Sequence, residues 1–270
     1  MREESIRAAL GPTEIVGRSL RVLDTVDSTN TYLRRLAAEG APEGTVVLAD
    51  RQTGGRGRMG RSFESPRGLG IYLTVLLRPG LPGERLLPLT ALAGVAVCNA
   101  VERVCGLRPG VKWPNDPVLG NKKICGILTE LDAAADGGIA VALGIGINVH
   151  QQPGDFTPEV AALASSLDQE TGSRVSRSRL TAALLEELDR MYAALNRGEL
   201  TAYREALRRD CVNLGKPVQL IGPDGRREAA VALDIDEQFG LVVRDETGAE
   251  RVIRSGEVSV RGLYGYMETE

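Results

Sequence analysis

"RQTGGRGRMGR", residues 51–61, places four arginines and four glycines in eleven positions. Gly55, Gly57 and Gly60 spell G-x-G-x-x-G, the dinucleotide fingerprint. That fingerprint requires its third glycine to open a helix whose N-terminus holds a pyrophosphate. Here Gly60 runs into RSFESPRGLG, where Pro66, Gly68 and Gly70 forbid a helix, and then into an apolar strand. No Lys-Ser/Thr pair follows the glycines, so a Walker phosphate loop is excluded as well. What remains is strand, basic glycine loop, strand. Glycines let backbone amides converge on an anion, and arginines add forked, permanently charged donors. The alternative is an ordinary surface loop, basic because the chain favours arginine. Residues 51–63 hold four arginines and no acid in a chain of formal net charge −3, which favours the anion-binding reading. Mutual repulsion and glycine entropy predict a loop without fixed shape until a phosphate-bearing ligand orders it into a lid.

Outward from the loop, residues 19–27 read as a strand. A helix enters through Ser28, Thr29 and Asn30, all good N-cap residues, and ends near Gly40. GTVVLAD leads into the loop as a buried strand, and GIYLTVLLRP follows it as another, closed by Pro79. A helix rich in Leu, Ala and Val spans residues 84–105 and stops at Gly106. Strands are expected at 111–113, 123–131 and 139–149, and helices at 159–168, 177–196 and 199–209. From Asn213 the pattern changes to short alternating strands split by glycine turns, the texture of a small barrel. The strands and helices before it do not alternate strictly. The sequence therefore predicts an α+β fold: a mixed, largely antiparallel sheet with packed helices in residues 1–210, and a C-terminal barrel in 211–270.

Composition narrows the function. The chain of 270 residues is 43% hydrophobic and 26% charged, an ordinary globular balance, and its slight net acidity makes any phosphate contact local. No signal peptide is read at the N-terminus, and the apolar stretch at residues 86–98 is too short to span a bilayer. The four cysteines lack C-x-x-C spacing and the chain has one histidine, so a zinc site is not expected. Cys98 and Cys105, seven apart on a helix, read as core hydrophobes. A cytoplasmic, reduced protein is the economical reading. His150 follows a strand and reads as an incidental loop residue rather than a base. Of 33 basic residues only four are lysines, and three of them, Lys112, Lys122 and Lys123, fall within twelve positions.

Three more stretches carry chemistry. DSTN (residues 27–30) is on its own an N-cap. KWPNDPVLGNKKICGIL (112–128) joins Lys112, the aromatic plate of Trp113, a proline-fixed turn, Asn115, Asp116 and Lys123 ahead of a strand. Asp116 either caps a turn or, amid three lysines, serves a Mg²⁺–triphosphate site, since magnesium favours oxygen ligands. GIGINV (144–149) ends a strand with a small-residue edge and sets Asn148 where a ligand could approach. In this order and spacing the stretches, with a terminal small barrel, resemble a biotin–protein ligase over roughly residues 20–265. Met59 departs from the pattern, since many members carry arginine there.

The resemblance implies a class II synthetase-like catalytic fold with an SH3-like barrel. It also implies ATP, biotin and Mg²⁺ as small molecules and a biotin carboxyl carrier protein domain as acceptor. Ser28, Thr29, Asn30 and Gln52 would bind the biotin head group. Arg56, Gly57 and Arg58 would line the valerate and adenylate phosphate, and Lys123 the carboxylate or its adenylate ester. Gly55, Arg61, Trp113, Asn115 and Asn148 fall to the nucleotide side. Arg58, Lys112, Asp116 and Lys123 would be catalytic, with Asp116 toward the magnesium. The strand before DSTN starts near residue 19 and leaves no room for the winged helix–turn–helix of some members, so a ligase without DNA binding is implied. A homodimer through the sheet edge and a monomer both fit.

A lipoate–protein ligase is the nearest rival, but lipoate lacks a ureido ring for DSTN and Gln52 to bind. A nucleic-acid module conflicts with the net acidity and with only three phenylalanines. A non-catalytic scaffold leaves the lysine cluster without purpose.

Overall fold

The computed structural model describes residues 1–134, 137–222, 224–254 and 259–262. In chain order the elements are α1 (Glu3–Arg7), β1 (Leu20–Val26), α2 (Thr29–Ala38), β2 (Val46–Gln52), β3 (Gly70–Leu77), α3 (Leu89–Cys105), β4 (Gly110–Lys112), β5 (Asp116–Leu119), β6 (Lys122–Lys123), β7 (Cys125–Ala133) and β8 (Ile139–Asn148). Next come α4 (Pro158–Ala161), α5 (Leu167–Thr171), α6 (Arg177–Arg197), α7 (Thr201–Asp210), β9 (Pro217–Ile221), β10 (Arg227–Ile235), β11 (Leu241–Asp245), β12 (Glu250–Ile253) and β13 (Ser259–Gly262).

The main sheet runs β1-β2-β3-β8-β7. Only β1 and β2 pair in parallel, and the other three pairings are antiparallel. The expected mixed, largely antiparallel sheet is therefore present. Its central strand, GIYLTVLL, is buried along its whole length. Such a strand has both faces covered, and alternate residues go to opposite cores. Leu73, Val75 and Leu77 join Val141 and Leu143 under α3 and α6, while Leu76, Ala140 and Ala142 meet Leu33 and Leu36 of α2. With its preceding turn, α3 is long and apolar enough to cross a membrane by length and composition, yet its residues pack between the sheet and α6. Cys98 is buried on it as expected; Cys105, in its last turn, is only half-buried.

The sequence expectation fails at residues 159–168. In place of one helix there are two short ones, α4 and α5, with an extended link between them. The Lys123 N–H donates to the Leu163 carbonyl at 2.9 Å, and the Ser165 N–H returns to the Lys123 carbonyl at 3.0 Å. Strand-like pairing with β6 takes the backbone groups that a continuous helix would use.

A small sheet, β4-β5-β6, carries the KWPND and lysine stretches. The C-terminal strands form a five-stranded antiparallel sheet in the order β12-β11-β10-β9-β13. The rest of the expected C-terminal barrel, residues 255–258 and 263–270, lies outside the described residues. Trp113 joins the two parts. It is 1% exposed, its backbone N–H donates to Asn213 Oδ1 at 2.8 Å, and its indole Nε1 donates to the Phe239 carbonyl at 3.0 Å.

Trp113→Phe keeps most of the packing but strands the Phe239 carbonyl. An unmet buried acceptor costs about 1–3 kcal/mol, so unfolding in urea followed by circular dichroism is expected to show a loss of that size. An unchanged midpoint would refute it.

Candidate functional site

A cleft of about 380 Å³ opens beside the main sheet. That is within the range of small-molecule sites. Three groups of elements build it.

One wall is the start of α2. Ser28 occupies the N-cap position, but its side chain does not cap the helix and lines the cleft instead. The Thr29 N–H and hydroxyl both donate to Gln52 Oε1, at 2.8 and 3.0 Å, and Gln52 Nε2 donates to Ser65 Oγ at 2.8 Å. Thr74 donates to Asn30 Oδ1 at 2.6 Å and lies 2.8 Å from Thr29 Oγ1. Asn30 Nδ2 donates to Glu130 Oε2 at 2.8 Å. Ser28, Thr29 and Asn30 are each at most 5% exposed, so this wall is a dry, fixed row of amides and hydroxyls.

The floor is made of missing side chains. A Cβ on Gly144 would lie 2.1 Å from Asn30 Oδ1, and one on Gly146 would lie 2.6 Å from the Phe63 ring. A Cβ on Gly126 would come within 3.3 Å of both the Phe63 ring and the end of the Lys123 side chain. Phe63 thus sits over the bare backbones of β7 and β8 and meets Tyr72 edge-on at a centroid distance of 6.4 Å.

The roof is the arginine–glycine loop, which carries backbone pairing of its own and contacts across the cleft. The Gly57 N–H donates to the Arg61 carbonyl at 2.7 Å and the Phe63 N–H to the Gly55 carbonyl at 2.9 Å. Met59 takes the left-handed conformation, φ 56°, at the exposed tip. Arg58 donates to Asn115 Oδ1 at 2.9 Å, and Arg56 forms an ion pair with Glu130 at 3.2 Å. Partners across the cleft offset the repulsion that the sequence reading left uncompensated.

Five basic side chains, Arg56, Arg58, Arg61, Lys112 and Lys123, line the cleft with one carboxylate, Asp116. Such a balance suits a ligand with several negative charges. Lys123 Nζ lies 2.6 Å from Asp116 Oδ1. Burial pulls the Arg58 guanidinium below its ordinary range; Asp116 draws it back up, and Arg61 lowers it. It stays cationic regardless. Asp116 is a thin donor set for a resident metal, since it already faces an ammonium. Among the described residues no cluster of three His, Cys, Asp or Glu side chains could hold an ion. The residues do not fit a resident metal.

Thirteen of the residues singled out from sequence share this cleft: Gly57, Gln52, Trp113, Asn115 and Asp116 line it with the three α2 residues and the five cations. Two do not. Gly55 lies behind the lining, where a Cβ would strike the Phe63 carbonyl at 2.2 Å, so its role is to let the loop turn back. Asn148 is buried away from the cleft, its Nδ2 donating to the Ser165 carbonyl at 3.1 Å and its Oδ1 accepting from Gln151. The GIGINV edge matters through Gly144 and Gly146 rather than through Asn148. Phe63, Thr74, Glu130, Leu163 and Val260 were not foreseen. Only the first could have been, as the lone aromatic in the loop; the others arrive through tertiary contacts.

His150 is likewise not an incidental loop residue. It is buried, with Nδ1 2.8 Å from Asp168 Oδ2, tying the turn after β8 to α5.

Residues 22–149 match the Biotin/lipoate A/B protein ligase family. The chain is 42% identical over 192 residues to the bifunctional ligase/repressor BirA of Bacillus subtilis strain 168, covering 71% of this chain and 59% of that one. It is 33% identical over 262 residues to the biotin--[acetyl-CoA-carboxylase] ligase of Mycobacterium tuberculosis, covering 95% and 94%. Among solved structures it resembles the biotin protein ligase of Aquifex aeolicus in complex with biotin and ATP. There the TM-score is 0.79 and the identity 30%, over 91% of this chain and 99% of that one.

Two outcomes are expected. Gly146→Ala should push Phe63 off its floor. Overpacking costs about 1–3 kcal/mol, so tryptic cleavage at Arg56, Arg58 and Arg61 should quicken roughly tenfold; an unchanged digest would contradict the packing. Burial holds the His150 imidazole below its usual value even though Asp168 pulls it up. The unfolded chain therefore takes the proton first, and stability falls as pH drops below about 6.5. Urea midpoints of His150→Gln should be flatter than the parent's between about pH 5 and 7.

Proposed function

The chain belongs to the biotin–protein ligases of the biotin/lipoate A/B protein ligase family, and on that premise we propose that it joins biotin to a lysine of a biotin carboxyl carrier domain in two steps. In the first, a biotin carboxylate oxygen bonds to the α-phosphorus of ATP as the bond to pyrophosphate breaks. In the second, the neutral amine of the carrier lysine attacks the acyl carbon of the biotinyl-adenylate. AMP leaves, and the amine's proton passes to solvent.

The observation that carries this reading is the union of two unlike surfaces in one cleft. The dry row of Thr29, Asn30, Gln52 and Ser28 offers the partners that a ureido ring requires, since an unmet polar group costs about 1–3 kcal/mol. Facing it, the cationic roof offsets repulsion between a carboxylate and a triphosphate. Both steps develop negative charge on oxygen, which preorganised cations and amides stabilise without a protein nucleophile. Lys123, fixed by Asp116 and by its backbone pairing to Leu163 and Ser165, is suited to the carboxylate and its adenylate ester. Arg58, bridging to Asn115, is suited to the adenylate phosphate, and Lys112 to the triphosphate. Magnesium enters as the companion of the nucleotide's phosphates. Lipoate has no ring polar groups to satisfy the row on α2, so biotin is the better fit. The C-terminal sheet, read as an SH3-like barrel, would assist carrier or nucleotide docking, since Val260 reaches the cleft.

Mass spectrometry of a carrier domain incubated with the protein, ATP, magnesium and either biotin or lipoate tests the reading. A mass gain with biotin alone is expected, and a gain with lipoate alone overturns it. Lys123→Ala is expected to abolish pyrophosphate release while leaving carrier binding intact, and near-normal release would reject its role. Arg58→Ala is expected to hasten loss of the adenylate with little change in melting temperature.

A further inference from the structure

Glu130 stands outside the residues discussed so far as chemistry, yet it touches two of them. It lies on β7 opposite Ala142 of β8, with its side chain 17% exposed. Oε2 accepts from Asn30 Nδ2 at 2.8 Å, and Oε1 lies 3.2 Å from Arg56 Nη1 and 3.5 Å from Arg34 Nη1. Arg34 is already held by both oxygens of Asp132, at 2.5 Å each. Asp132 already neutralises Arg34, which still donates to Glu130 Oε1, and the nearer guanidinium nitrogen to that oxygen belongs to the roof residue Arg56.

We propose that Glu130 is a positioning residue for the reaction, setting the lid cation Arg56 and the slot amide Asn30 through one carboxylate. The charge selects which way Asn30 faces. A carboxylate accepts only, so Nδ2 turns toward it and Oδ1 is left to Thr74, pressed onto the bare Gly144. A flipped amide would set two acceptors against each other. For Arg56 the carboxylate is an ionic anchor 3.2 Å from one guanidinium nitrogen, which holds the cation over the slot and leaves its other donors for a ligand anion. Gripping the head group and seating the lid arginine thus become one event. Arg56 is 48% exposed, so this pairing is partly screened by salt, unlike the buried Asn30 contact.

The inference rests on the biotin reading, and its test separates the two. Full-length protein, Glu130→Gln and Glu130→Asp are titrated with biotin by calorimetry. Their biotin-dependent pyrophosphate release is then measured at about 50 and about 500 mM salt, where screening lengths differ threefold or so. Glu130→Gln is expected to raise Kd and KM for biotin about three- to tenfold while kcat changes less than about twofold. The deficit should narrow at high salt, and Glu130→Asp should recover part of it. Combining Glu130→Gln with Arg56→Ala should cost less than the two separate losses together. Parental affinity in Glu130→Gln, a deficit identical at both salts, or strict additivity would each overturn the proposal. Should Glu130→Gln melt early, the salt response of Glu130→Asp against Arg56→Ala decides on the same terms. A parent protein that binds no biotin at all would instead overturn the functional reading on which this one stands.

Discussion

Like charges repel more strongly at the mouth of a half-enclosed cleft than in open water, and Arg56, Arg58, Arg61, Lys112 and Lys123 all meet at such a mouth. The surrounding structure is arranged around keeping them there. Glu130 faces Arg56, Asn115 accepts from Arg58, and Asp116 lies against Lys123. None of these counter-groups comes from the loop: Glu130 is on β7, Asp116 on β5, and Asn115 in the turn between β4 and β5. The loop alone would fly apart, whereas docked on β5 and β7 it keeps its cations pointed at one volume. The same partners leave the site electropositive, so a ligand with carboxylate and phosphate groups completes a balance that the protein leaves unfinished.

The second constraint is closeness of backbone. Ring and polar head both need a flat surface, and a pleated strand normally presents side chains instead. Gly126, Gly144 and Gly146 remove them at the place where Asn30 and Phe63 come down. Because β3, beside β8 in the same sheet, is buried on both faces, the floor is rigid as well as bare. Precision in such a site comes from the scaffold, with only the roof drawn from a loop.

Much of this was legible in the chain. The continuous apolar runs GTVVLAD and GIYLTVLL located the central strands, and the failure of a helix after Gly60 excluded the nucleotide-fold reading of the glycines. Ordered short motifs brought thirteen residues to one cleft. What escaped the sequence did so for identifiable reasons. The helix expected at 159–168 has suitable propensity, but its backbone groups are claimed by Lys123, a partner some forty residues away. Asn148 shares the strand face of Gly144 and Gly146, yet the chain leading into α5 covers it there, its amide held by the Ser165 carbonyl and by Gln151. Glu130 and Thr74 reach the slot only because antiparallel pairing sets β7, β8 and β3 side by side, which no local pattern announces.

The link between α4 and α5 is tied down at two places: Leu163 and Ser165 clasp Lys123, and His150 holds Asp168. Ahead of those anchors, between the buried Gln151 and Ala164, residues 152–163 cross the surface exposed at nearly every position, with little to keep that stretch from growing or shrinking. Closing a longer excursion between fixed ends adds only a fraction of a kilocalorie per doubling. Descendants of this chain could therefore lengthen or trim that excursion, and so reshape what surrounds Leu163 at the rim, without disturbing the ammonium that the anchors hold in register.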